Sequence, residues 1–128
     1  MAIENIRLSE EAKSRLTRIK TRTGVTQWNV LCRWAFCLSL AEESVPAPAN
    51  IPSDSNVEMK WKVFGGEHHE LYLALLEQRC KKDGFEISNE VINEQFKLHL
   101  HRGINYLFSN KDASSIKDML MITLNMND

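Results

Sequence analysis

The residue types able to do chemistry are few and poorly spaced for it. His68 and His69 are adjacent, so on a helix their side chains diverge by about 100° and cannot hold one ion. His99 and His101 would chelate together on a strand. The helical spacing of Ile92, Phe96, Leu100, Ile104, Leu107 and Phe108 around them instead sends the two rings to nearly opposite faces of a helix. Glu67 and Glu70 stand three apart, which reads as an ordinary surface carboxylate pair. Gly65-Gly66 is too short to cradle a phosphate, and no Gly-x-Ser-x-Gly occurs. The cysteines, Cys32, Cys37 and Cys80, are odd in number, contain no Cys-x-x-Cys and sit among apolar residues, so they read as small buried hydrophobes. The expectation is a protein with no catalytic residue, no metal and no cofactor.

Charge is the better signal. The 128 residues carry a net charge of only −1, yet it is unevenly placed. Residues 1–33 hold seven basic side chains (Arg7, Lys13, Arg15, Arg18, Lys20, Arg22, Arg33) against Glu4, Glu10 and Glu11, a balance of +4, and the remainder carries −5. Such asymmetry points to a polyanion-binding end, with a solvated helix face as the plainer reading. Arg7, Lys13, Arg15, Arg18, Lys20 and Arg22 are the candidate DNA-binding residues, and Lys60 and Lys62 are the next in line.

The elements that must position these groups follow from periodicity. Overall the chain reads as mainly α: a short N-terminal strand, a ribbon-helix-helix-like pair of helices, then a further helical bundle. It is expected to form a single domain over 1–128, with a basic segment over 1–43, a proline-containing loop over 44–58 and a helical remainder over 59–128. Glu4–Leu8 alternates as a strand. Ser9 caps a helix over about 10–23, with Ala12, Leu16 and Ile19 inward and Gly24 as its stop. Arg15, Arg18 and Arg22 share one flank of that apolar seam; Lys13 and Lys20 share the other. Thr26 is expected to cap a second helix over about 27–43, apolar nearly all round. A chain this short has trouble covering such a helix, so Trp28, Leu31, Trp34, Phe36 and Leu38 are expected at a subunit interface. Met59–Phe64 alternates as a strand. Helices are expected over about 67–82, from Ser88 onwards, and over about 115–125. The longest apolar run, Trp34–Leu40, is far too short to span a bilayer, and Met1–Leu8 does not read as a signal peptide; the expected location is the cytoplasm.

A strand, a basic helix, a tight turn and an apolar second helix match a ribbon-helix-helix plan, in which strands from two subunits pair into a ribbon that enters a DNA groove. The stretch Arg22-Thr-Gly-Val-Thr-Gln-Trp-Asn-Val-Leu-Cys-Arg-Trp-Ala-Phe-Cys-Leu-Ser-Leu-Ala41 resembles the signature of the DndE family of DNA sulfur modification proteins. Trp61-Lys-Val-Phe-Gly-Gly66 and Leu98-His-Leu-His-Arg-Gly-Ile104 resemble its later blocks. The resemblance spans nearly the whole chain. It implies a non-catalytic, tetrameric accessory subunit of DNA phosphorothioation that binds double-stranded DNA, with a preference for nicked duplex, and acts beside the other phosphorothioation proteins. The alternatives are a ribbon-helix-helix transcriptional regulator and an assembly subunit that does not touch DNA.

Overall fold

The Ser9 side-chain oxygen accepts the Ala12 backbone N–H at 3.1 Å, and Glu10 and Glu11 occupy the first turn, where the helix dipole favours negative charge. This starts α1, Glu10–Thr23, which Gly24 ends at φ 75°, a left-handed conformation that costs glycine nothing. The structure, a computed structural model, describes residues 3–109. Before α1 comes β1, Asn5–Arg7; after it come α2, Trp28–Ala41, β2, Glu58–Lys60, α3, Trp61–Gly65, a 3-10 turn over Gly66–His68, α4, His69–Lys82, and α5, Asn89–Ser109. The chain is mainly α, as its periodicity indicates. The helix expected over 115–125 lies outside the described residues.

The strand finds its partner within the chain. β1 pairs antiparallel with β2, Asn5 opposite Lys60, Ile6 opposite Met59 and Arg7 opposite Glu58. The intersubunit ribbon of the ribbon-helix-helix plan is therefore replaced by an internal one on this edge. The preceding loop extends the pairing: Leu8 N–H donates to Val57 O and Ser55 N–H to Leu8 O, both at 3.1 Å, while Glu10 N–H donates to Asp54 Oδ1 at 2.8 Å. The strand expected to reach Phe64 stops at Lys60. Trp61 and Phe64, three apart, both turn into the core and stack at 5.0 Å, which needs a helical turn; Val63, on the inward face of an alternating strand, is instead 51% exposed.

Thr26 does not cap α2. Gln27 is the N-cap residue and makes no side-chain capping bond. The larger correction concerns what covers α2. Leu31 and Phe36 are fully buried and Trp34 is 7% exposed. The cover is the chain's own: α5 lies along α2, and the Phe36 ring meets Phe64, Tyr72, Phe96 and His99 at 5.2–6.4 Å. Trp28 and Leu38 are partly buried against the same core. One short chain hides this helix because its neighbour approaches closely. A Cβ built on Gly103 of α5 would lie 1.7 Å from Ala35 O, so backbone meets backbone there and little surface remains between them.

α2 ends at Ala41, two residues earlier than its periodicity suggests. Two arginines take its last carbonyls. Arg79 donates to Leu40 O, Glu43 O and Ser44 O at 2.7–3.2 Å while its Nε pairs with Asp83 at 2.9 Å, both side chains at most 7% exposed. Arg102 donates to Ser39 O and Ser44 O, each at 2.8 Å, and to Ser39 Oγ. Ser39 Oγ, which accepts from Arg102, also shares a hydrogen bond with His99 Nδ1 at 2.8 Å.

His99 is thus buried as a neutral ring. Burial first, then the Arg102 and Arg79 charges, hold its pKa down at about 4 against an ordinary 6.5. Burial also lowers that of His101, on the other side of α5, where its Nδ1–H donates to Lys97 O. The unfolded chain therefore binds protons that the folded chain refuses between about 6.5 and 4, so stability must fall as pH falls through that window. The melting temperature, followed by circular dichroism, is expected to drop steadily over it. His99→Gln should flatten the larger part of the slope; an unchanged slope would mean His99 is not the group responsible. Burial pushes the Cys32 thiol up to about 12 and Cys80 up to about 11, which keeps both as inert packing atoms.

Candidate nucleic-acid interface

From Lys13 to Thr23, α1 carries five basic residues and no acidic one. Its inward seam is Ala12, Leu16, Ile19 and Thr23. With that seam fixed, Ser14, Thr17, Arg18 and Thr21 face outward and are exposed, and Lys13, Arg15, Lys20 and Arg22 lie half-buried along the two flanks. Thr17 and Thr21 return their hydroxyl protons to the Lys13 and Thr17 carbonyls at 2.8 and 3.2 Å, leaving their oxygens outward. Cationic side chains interleaved with hydroxyls are the groups that hold phosphodiester oxygens.

The two flanks are built differently. On one, Arg15, Arg18 and Arg22 place their guanidinium carbons 5.5, 6.0 and 5.2 Å from the centre of the Phe108 ring, at the end of α5. Arg22 also donates to Phe108 O at 3.1 Å, and Arg15 reaches Asn105 Oδ1 and pairs with Glu11. On the other flank, Lys13 donates to Asn56 Oδ1 at 2.6 Å, and the Lys20 ammonium sits 3.9 Å above the Trp28 ring. Trp28, expected at a subunit interface, is therefore also a seat for Lys20 in this chain. Arg7 stands apart on the ribbon, where it is tied to Glu58 at 2.7 Å and to Ser55 O. An exposed pair of this kind contributes little to stability, but it neutralises the charge that Arg7 would offer. Lys60 projects beside it, exposed and opposite Asn5.

The spacing of the arginines on α1 was readable in the sequence; the ring that gathers them was not. Phe108 lies about ninety residues away and reads as the tail of an apolar stripe. Asn56 and Asn105 likewise give no signal in the sequence. A cleft of about 500 Å³ opens between α1, α5 and the loop over 46–54, with Arg15 and Arg102 on its walls. Both cations are already committed, Arg15 to Glu11 and Arg102 to Ser39 and Ser44, so the cleft offers an anion less than the outer face of α1 does. Among the described residues no group of three or more His, Cys, Asp or Glu converges as a metal site, and no helix is long and apolar enough to cross a membrane.

The model of the DndE family, described as DNA sulphur modification protein DndE, matches residues 5–115. Two solved structures share the fold. The crystal structure of DndE from Escherichia coli B7A, involved in DNA phosphorothioation modification, superposes with a TM-score of 0.70 at 21% identity, covering 84% of this chain and 98% of that one. The crystal structure of a DndE mutant involved in DNA phosphorothioation superposes with a TM-score of 0.65 at 19% identity, with the same coverage. No curated protein matches the sequence.

Proposed function

The chain belongs to the DndE family of DNA sulphur modification proteins, and from that premise we propose that it is a DNA-binding accessory subunit of DNA phosphorothioation that performs no catalytic step itself. The observation that carries the DNA contact is the acid-free basic run of α1, Lys13 to Thr23, with its hydroxyls outward. Contact of this kind is made to the phosphodiester backbone and is blind to sequence. The other proteins of the pathway supply the chemistry in this reading, and nicked duplex is the preferred form of DNA. A nick makes the duplex easier to bend, which favours a protein that reads backbone shape. The working species is a homo-oligomer, a tetramer by analogy with the family. Leu31 and Phe36 are used up inside the chain, so its contacts draw on other residues: Trp28 and Leu38 are only partly buried, and Leu71 and Leu75, one turn apart on α4, are 55% and 37% exposed.

The test is a titration of intact and nicked duplexes of several sequences at two salt concentrations. Affinity should fall with salt at a log–log slope of about −0.9 per phosphate neutralised. Lys13→Glu with Lys20→Glu, and Arg18→Glu with Arg22→Glu, should each weaken binding about tenfold or more to every sequence alike, with the helical circular dichroism retained. None of these four side chains belongs to the inward seam. Light scattering on the same samples reads the subunit count. Unchanged affinity in both folded variants would move the interface to Lys60 and Lys62. A strong preference for one sequence would favour a transcriptional regulator instead.

A further inference from the structure

The two flanks of α1 differ in one respect that charge alone does not explain. Three cations of one flank converge on a single ring, with every guanidinium carbon within 6.0 Å of the Phe108 centroid. Cations gathered round one ring repel one another, and salt screens them incompletely over separations comparable to a Debye length. Among the described residues only Arg15 has a carboxylate, Glu11, to offset it; the described contacts of Arg18 and Arg22 are the ring and, for Arg22, the Phe108 carbonyl. A π face attracts cations but carries no net charge. The cluster is therefore held together while keeping an excess of positive charge, which is the electrostatic state of an anion site awaiting its anion. The lysine flank has no such focus: Lys13 rests on Asn56 and Lys20 on Trp28, separate seats on separate elements.

On the reading that α1 binds DNA, we infer that Phe108 is the positioning residue of a phosphate site, its ring gathering Arg18 and Arg22, which have no carboxylate among the described residues, beside the Glu11-paired Arg15, so that one backbone phosphate of the duplex is taken by both free guanidinium groups at once. Planar guanidinium forks match phosphate oxygens in pairs, and a fork already held in place loses less freedom on binding than a free side chain. Phe108 contributes no charge of its own. It sits at the end of α5, so the site exists only when that end of α5 is docked on α1, and Arg22 fixes this docking through its bond to Phe108 O at 3.1 Å.

The experiment titrates a fluorescein-labelled duplex with the full chain at two salt concentrations. Phe108 is only partly buried, so Phe108→Leu should keep the fold. It should weaken binding about tenfold and make the log–log salt slope shallower by about 0.9, the share of one phosphate. Phe108→Trp, which restores a π face, should recover wild-type affinity and slope. Arg18→Lys with Arg22→Lys keeps every charge but removes two planar forks, and it should reproduce the Phe108→Leu loss without touching the ring. Wild-type binding by folded Phe108→Leu, or a Phe108→Trp variant as weak as Phe108→Leu, would overturn the role of the ring. If the lysine pair binds as wild type, charge alone suffices and the site is not built as inferred. Each of these outcomes leaves the broader DNA reading standing so long as Arg18→Glu with Arg22→Glu still weakens binding. If that charge reversal has no effect either, it is the DNA reading of this flank that fails.

Discussion

Gly103→Ala should destabilise the protein by about 3 kcal/mol, enough to lower its melting temperature by roughly 10 °C. The added Cβ would fall 1.7 Å from Ala35 O and 2.3 Å from the Ala35 carbonyl carbon. Both obstructing atoms are backbone, so no side chain can swing aside and no truncation of Ala35 relieves the clash; α2 and α5 must separate. This contact belongs to the most extensive helix pairing among the described residues, and parting the two helices loosens Phe36, Phe96 and Ile104 together. Gly24→Ala is the contrasting substitution. Nothing lies within 4 Å of the Cβ it would add, but φ is +75°, so its cost is the conformational one alone, about 1–2 kcal/mol. Thermal denaturation of the two variants checks the order. Equal losses would mean that α5 does not approach α2 as closely as described.

Arg79→Met should cost about 3–5 kcal/mol, the usual consequence of removing one partner of a buried ion pair. Asp83 would be left as an unpaired carboxylate with its side chain 6% exposed, and the carbonyls of Leu40, Glu43 and Ser44 would lose their shared donor. Asp83→Asn should be milder, because the amide oxygen can still accept from Arg79 and no charge is stranded except that of an arginine with three carbonyl partners remaining. The denaturant midpoint separates the two. If both variants lose equally little, the pair is a surface decoration and the end of α2 is held by Arg102 alone.

Features made by neighbours in sequence were legible; those made by distant residues were not. Ser9, Glu10, Glu11 and Gly24 announce α1, and each acts within one turn of its own position. The stripe from Ile92 to Phe108 announces α5 for the same reason. Trp61 reads as strand because alternation over six residues fits a strand, while a helix of so few residues, under two turns, shows no clear periodicity of its own; only the stacking of Trp61 on Phe64 inside the core decides between them. By area alone, Leu31, Trp34 and Phe36 exceed what a chain this short should cover, which points to a subunit interface; Gly103 lets a neighbour come closer than area suggests. Nothing near Arg79 or Arg102 in the sequence signals their role, because the carbonyls they take, at and beyond the end of α2, lie 35 to 63 residues away. For the candidate site, the six basic residues are visible in the sequence, and the division of labour among them is not: Glu58 removes Arg7 from the free cations, Phe108 gathers one flank of α1, and the other flank has separate seats, Asn56 for Lys13 and Trp28 for Lys20.

The internal ribbon also governs the order in which the chain can acquire structure. β1 closes on a strand some fifty residues later, and α1 is tied to Asn105 and Phe108 some ninety residues later. Pairings so distant along the chain carry a large loop-closure entropy and form slowly. During synthesis, the basic helix leaves the ribosome long before Asn56, Asn105 and Phe108, with its apolar seam uncovered and, apart from the Arg15–Glu11 pair, its cations unopposed by a carboxylate. A nascent chain stopped after α2 should therefore be protease-sensitive and adhere to polyanions indiscriminately. Only the arrival of α5 turns that loosely sticky segment into a defined surface, so the last helix described to be made is the one that completes the first.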